Sequence, residues 1–363
     1  MNGGSYVQKS DAPALILALL VTLGLLGGGV WLLVNRLGGP LGREPIAGSN
    51  PGQPSTDAGE SQGLGAVQPA PAGGVASFAA VQNVPSGSFN YGGSTSWAPI
   101  RLSVDAQVQA ARPELQLRYV NPVGKSAGSG TGITMLINNE IAFAQTSRPV
   151  TDAEIREAQE RGIQLKQIPV ALDGIAAAVN PSLDLAGISV AQLTDIYTGK
   201  VSNWQQVGGP DLAIVPLTRS VDSGGTVDIL LRGQQMGSNV KIVANTTDAL
   251  RALANTPGGI YFASAPEVVP QCTVKPLPVG FQSGNFVSPY QGTYVQPAQC
   301  PSQRNQLNVE AFRNGSYPLT RNLFVVVREK GGPEQQAGEA YANLLLSNDG
   351  QEAVGKAGFV RIR

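Results

Sequence analysis

Apolar and polar positions divide the chain into three textures. Ala12 to Val34 is an unbroken run without a charge, bounded by Lys9 and Asp11 before it and Arg36 after it. At about 1.5 Å per residue it spans roughly 34 Å as a helix, enough to cross a bilayer core. The run is longer than the apolar core of a cleaved signal peptide, and Asn35-Arg36-Leu37 offers no small-residue cleavage site. It predicts a single-pass signal anchor over residues 12–35, behind a short tail at 1–11. Lys9 and the α-amino group on one side are balanced by Arg36 and Arg43 on the other, so the positive-inside rule does not orient it.

Residues 38–74 contain ten Gly and six Pro and show no apolar period. Such a segment cannot bury enough surface to offset its ordering entropy, which predicts a disordered tether over 36–84. From residue 85 the texture becomes that of a folded α/β unit. Ile168-Pro169-Val170-Ala171 and Asn322-Leu323-Phe324-Val325-Val326-Val327 read as buried strands. Thr151 with Glu154 three residues on reads as a capping box opening a helix that Gly162 stops, and Ser189 with Gln192 repeats the signal. Gln335 to Leu346 forms a third helical pattern. Alternating strands and helices imply a mostly parallel sheet, with ligands at the carboxyl ends of its strands.

Composition narrows the chemistry. Lys+Arg and Asp+Glu are 25 each, so no cationic excess exists to neutralise a nucleic-acid backbone. The chain has no histidine, which removes Ser-His-Asp and Cys-His catalysis and the commonest transition-metal ligand. No cofactor or metal is expected. The two cysteines, Cys272 and Cys300, are either one disulfide in an oxidising compartment or two buried thiols.

Four Gly/Ser/Thr-rich turns fall where strands should pass into helices. They are Gly92-Gly93-Ser94-Thr95-Ser96, Gly128-Ser129-Gly130-Thr131-Gly132, Thr146-Ser147-Arg148-Pro149, and Arg219-Ser220-Val221-Asp222-Ser223-Gly224-Gly225-Thr226. Backbone N–H groups and hydroxyls at helix N-termini favour an anion, and arginines add fork-shaped donors. One such turn is ordinarily a plain cap, and a lone arginine is ordinarily solvated or paired, as Arg219 could be with Asp222. Four together, two with arginine, point to anion binding. Nucleotide motifs fail: Gly124-Lys125-Ser126 is preceded by Tyr119 where a P-loop needs Gly, and Ile133 stands where a dinucleotide fingerprint needs Gly.

Residues 88–363 resemble the phosphate-binding proteins of bacterial ABC importers. The resemblance is carried by Ala171-Leu172-Asp173-Gly174-Ile175, Val179-Asn180-Pro181, Leu193 through Lys200, Asn203-Trp204 and Gly208-Gly209. It continues in the closing Ser347-Asn348-Asp349-Gly350-Gln351 and Gly358-Phe359-Val360. It implies a two-lobed periplasmic-binding-protein type II fold. Lobe one would be residues 85–170 and 317–363, lobe two 171–316, with crossings near Val170-Ala171 and Tyr317-Pro318. It implies a site of Thr95, Ser96, Ser129, Ser147, Arg219, Ser223, Gly224 and Gly225, with Thr226 displaced by one because this chain reads Ser-Gly-Gly-Thr. Where prominent members carry Asp after the serine of the third turn, this chain has Arg148, as part of the family does. Arginine donates and cannot accept a proton, so Arg148 either touches the ligand or closes the lobes through a salt bridge. Asp173 or Asp222 would have to supply any acceptor.

The implied function is capture of inorganic phosphate outside the cytoplasm by lobe closure and delivery to an ABC importer permease, with the N-terminal helix holding the membrane. Rival readings are a binding protein or sensor for another oxyanion such as sulfate, a surface phosphoester hydrolase using Ser223, and a structural surface domain. The hydrolase lacks a visible base or metal cluster.

Overall fold

The computed structural model describes residues 75–220 and 226–363. The predicted anchor at 12–35, the tether up to residue 74, and Ser223, Gly224 and Gly225 lie outside the described residues. Among the described residues no helix is long and apolar enough to cross a membrane.

Among the described residues twelve strands follow one another: β1 (Gly87–Gly93), β2 (Leu115–Tyr119), β3 (Phe143–Thr146), β4 (Leu165–Val179), β5 (Ile188–Ser189), β6 (Val215–Arg219), β7 (Lys241–Val243), β8 (Gly259–Ser264), β9 (Lys275–Leu277), β10 (Val279–Gln282), β11 (Asn285–Val287) and β12 (Thr320–Arg328). Nine of them make one sheet in the order β2-β1-β3-β12-β4-β8-β6-β7, with β9 added on β4; β11-β10-β5 form a second, small sheet. Pairing in the large sheet is parallel toward both edges, where β1 joins β2 and β3, and β6 joins β7 and β8. It is antiparallel in the middle, where β12 lies between β3 and β4 and β4 meets β8 and β9.

The long central strands serve two hydrophobic cores. Val170 and Ala171 of β4 and Leu323, Val325 and Val327 of β12 pack with Trp97, Leu115, Phe143 and Tyr341. From Leu172 onward β4 packs instead with Leu193, Trp204, Leu217, Phe262 and Leu319. Each large side chain buried in this way contributes roughly 1.5–3 kcal/mol. The pairing register of β4 with β12 shifts between Leu323 and Phe324, opposite the step from Ala171 to Pro169. The bulge thus lies where one core gives way to the other.

Local signals behave as the sequence predicts. Thr151 and Glu154 form a reciprocal capping box ahead of the helix Asp152–Glu160, as do Ser189 and Gln192 ahead of Val190–Tyr197. Cys272 and Cys300 are joined as a disulfide, their Cα atoms 5.8 Å apart. The folded part begins before residue 85, however. Phe78 and Val81 are buried, the Phe78 amide donates to Asp349 at 3.1 Å, and Arg112 donates to the Val81 carbonyl at 2.6 Å. Two apolar residues three apart in Gly/Pro-rich surroundings carry no period to read, which is why the tether is predicted to run on to 84.

Candidate functional site

The first three turns each lead from a strand into a helix, and the described ends of the fourth, Arg219 and Thr226, close β6 and precede a helix. The first leaves β1 and enters Thr95–Trp97 and then the helix Ala98–Ala111. The second opens the helix Ser129–Ile137, the third follows β3, and the fourth leaves β6 for the helix Val227–Leu231. Glycine is required where these backbones touch. Gly93 has φ +122°, a conformation closed to most side chains, and a Cβ on Gly132 would sit 2.6 Å from the Gly93 Cα.

The first three turns share a hydroxyl cluster. Ser94 Oγ donates to Ser147 Oγ at 2.9 Å, the Ser147 amide donates to Ser129 Oγ at 3.1 Å, and the two hydroxyls of Ser129 and Ser147 lie 3.3 Å apart. All three serines are buried. Their turns are braced from behind: the Ser94 amide donates to the Gln145 carbonyl at 2.8 Å, and Trp97 Nε1 donates to the Thr146 carbonyl at 2.9 Å. Arg101, stacked over the Tyr119 ring, donates to Gln145 Oε1 and the Ser94 carbonyl.

Two guanidiniums then reach over the cluster. Arg219, at the end of β6, donates to Thr95 Oγ1 at 2.5 Å and to the Ala127 carbonyl at 2.9 Å. Arg321, near the start of β12, donates to Ser96 Oγ at 2.8 Å and to Thr226 Oγ1 at 3.1 Å. Its Nε is held by Asp173 Oδ2 at 2.9 Å, while Ser264 Oγ donates to Asp173 Oδ1 at 2.7 Å. A guanidinium only donates, so the hydroxyls of Thr95, Ser96 and Thr226 must accept from it and turn their own hydrogens elsewhere. The arrangement leaves three O–H groups oriented by positive charge, a surface suited to an anion.

Thr95, Ser96, Ser129, Ser147, Arg219 and Thr226 are therefore brought together. Arg148 is placed differently: its two terminal nitrogens clasp Glu154 at 2.9 and 2.8 Å, and one also reaches the Pro149 carbonyl. Burial opposes charge on Glu154, but Arg148 and Thr151 hold its carboxyl below the usual range. With Lys125 and Asp228, this pair borders a cleft of about 1100 Å³. Burial raises the Asp228 carboxyl, Arg148 opposing and Glu154 adding to that rise. Asp173, weighed as a replacement proton acceptor, has no exposed surface and both oxygens engaged; Asp222 lies outside the described residues. Among the described residues no cluster of three His, Cys, Asp or Glu could hold a metal ion.

Arg321 and Ser94 escape the sequence reading. Ser94 sits inside a recognised turn, but the resemblance points to its neighbours. For Arg321 a signal does exist: it is the sole charge in the apolar run Thr320–Val327, as Asp173 is in Val170–Val179. Buried lone charges of opposite sign need each other, and antiparallel pairing sets these two directly opposite.

A family model described as a PBP superfamily domain matches residues 78–349. The phosphate-binding protein PstS of Staphylococcus epidermidis is 27% identical over 240 residues, covering 64% of this chain and 68% of that protein. A Clostridium perfringens substrate-binding protein solved with bound phosphate superposes with a TM-score of 0.59 at 22% identity, covering 76% of this chain and 100% of that one. An ABC-type phosphate transport receptor from Vibrio cholerae superposes with a TM-score of 0.56 at 21% identity, covering 76% and 100%. At such identities the likeness shows the fold, the two-lobed type II arrangement.

Proposed function

Because the chain belongs to the PBP superfamily, we propose that it is a solute-binding protein that captures inorganic phosphate outside the cytoplasm and presents it to the permease of an ABC importer. The observation that carries this reading is the convergence of Arg219 and Arg321 on hydroxyls from separate turns. The naming of its relatives as phosphate-binding proteins supports the choice of ligand. Lobe one (to residue 170 and from 317) supplies Thr95, Ser96, Ser129 and Ser147; lobe two (171–316) supplies Arg219 and Thr226, with Ser223, Gly224 and Gly225 completing the fourth turn. An anion meeting donors from both lobes favours the closed state, since its differential contacts exist only there.

In this reading Arg148 stays at the cleft rim with Glu154. The disulfide supports an oxidising compartment, and the apolar run 12–35 supplies the membrane anchor. Binding, not turnover, is the activity this reading assigns, as the naming of the relatives as phosphate-binding proteins supports.

A second reading, capture of another tetrahedral oxyanion such as sulfate, rests on the described candidate groups being hydroxyls and guanidiniums that can donate, with Arg148 where an acceptor would discriminate. Calorimetric titration of the full chain with phosphate, sulfate, molybdate and arsenate tests both. Phosphate binding at micromolar Kd or tighter with sulfate at least a hundredfold weaker supports the first. The reverse order supports the second, and no heat with any of them removes both.

A further inference from the structure

Beside the anion site lies a cleft far larger than a tetrahedral anion fills. At about 1100 Å³ it exceeds the roughly 300–1,000 Å³ of pockets that hold whole small molecules. Its lining includes Gly130, Arg148 and Ser220, which directly follow Ser129, Ser147 and Arg219 in the chain. The cleft therefore adjoins the cluster of hydroxyls and guanidiniums. Its lining is also balanced, with two basic side chains, Lys125 and Arg148, against two acidic ones, Glu154 and Asp228. Arg148 and Glu154 satisfy each other. Asp228, half-buried, and Lys125, exposed, form no hydrogen bond or ion pair with another described residue. Leu231 and Met236 add apolar surface. A neutral carbon chain bearing several hydroxyls fits this mixture, because its O–H groups both donate and accept while its C–H groups cover the apolar part.

A second observation bears on the phosphoryl end. The described groups there are hydroxyls and guanidiniums, and Asp173 has both oxygens engaged. Asp173 is thus not left to accept the hydrogen of a P–OH group. A monoester dianion keeps three terminal oxygens for the donors and carries no such hydrogen, so it loses nothing at this site.

We propose that the site also takes phosphate monoesters of small polyols. The phosphoryl group sits on the hydroxyl and guanidinium cluster and the polyol lies in the cleft, where Asp228 accepts from its hydroxyls and Lys125 donates to them. The inference rests on the anion-capture reading and widens its cargo from the bare ion to its esters.

Calorimetric titration of the full-length chain with inorganic phosphate and with glycerol 3-phosphate, repeated on Asp228→Asn, tests it. The expected result is an ester Kd within about tenfold of that for phosphate. The variant should weaken the ester by about tenfold or more and shift phosphate by less than about threefold. An ester bound more weakly than that, or a variant that weakens both ligands alike, overturns the inference and leaves phosphate capture intact. Absence of heat with both ligands overturns capture and this inference with it, whereas heat with the ester alone upholds the inference and replaces the bare ion as cargo. Should Asp228→Asn fail to fold, Lys125→Ala, at an exposed position, decides: a loss of about threefold or more for the ester alone is expected, and unchanged ester affinity overturns the proposal.

Discussion

Two arginine–carboxylate pairs of this chain show opposite economies of contact. At the rim, Arg148 and Glu154 are six residues apart in sequence, and their side chains are 14% and 15% exposed. The hydrogen bonds of this arginine to Pro149 and Glu154 stay on its own turn and the helix after it. At the floor, Arg321 and Asp173 are 148 residues apart and 6% and 0% exposed. There the arginine gives the carboxylate one bond, Ser264 supplies the other, and the remaining nitrogens extend to Ser96 and Thr226 on two other elements. The rim pair finishes a helix cap; the floor pair uses its carboxylate as a mount and spends the fork on orienting hydroxyls. Charge alone therefore does not mark a binding arginine, whereas donors that reach side-chain hydroxyls on separate elements do.

The contrast can be broken most severely at the floor. Arg321→Ala leaves the fully buried Asp173 without its ion-pair partner, and loss of one partner of a buried pair costs about 3–5 kcal/mol, to be read from denaturant unfolding. Phosphate binding should vanish with it. Removing both charges, as Arg321→Met with Asp173→Leu, should recover much of the stability and none of the binding; recovery of binding would show the floor pair to be only structural.

Arg219 separates the two effects more cleanly, since its described hydrogen bonds go to a hydroxyl and a carbonyl and not to a carboxylate. Arg219→Gln should change stability by less than about 1 kcal/mol yet weaken phosphate about a hundred- to a thousandfold, the loss expected for two charge-assisted hydrogen bonds. Calorimetry of the variant measures this directly.

The smallest effect belongs to the rim. Arg148→Met should shift phosphate affinity by no more than about threefold and lower stability by about 1 kcal/mol. A loss beyond tenfold would move Arg148 into the anion site. The pH dependence has a definite sign: because the Glu154 carboxyl is held below its ordinary range, its contribution is complete above the unfolded value near 4.5. It is lost as pH falls through the lowered folded value. The variant should flatten that acid arm in melts taken at a series of pH values.

The difference between the pairs also explains what could be read from the chain. Thr151 and Glu154 declare themselves at a spacing of three because a helix end is solved locally, and the strands announce themselves by unbroken apolar runs. The four turns are legible for the same reason, each being a strand end followed by a cap. Arg321 was not, because its meaning depends on β4 and β12 lying in register, a long-range fact that no window contains. The onset at Phe78 was hidden likewise, since two apolar residues gain burial only from partners such as Asp349 and Arg112 far along the chain.

Gly93 and Gly132 meet with no room for even a methyl group between them. The first two turns therefore behave like fixed jaws whose gap no substitution can pad. Retuning this protein toward a larger or smaller cargo must come from the tips, by exchanging hydroxyl-bearing side chains, because widening the jaws would mean rebuilding the strands that carry them.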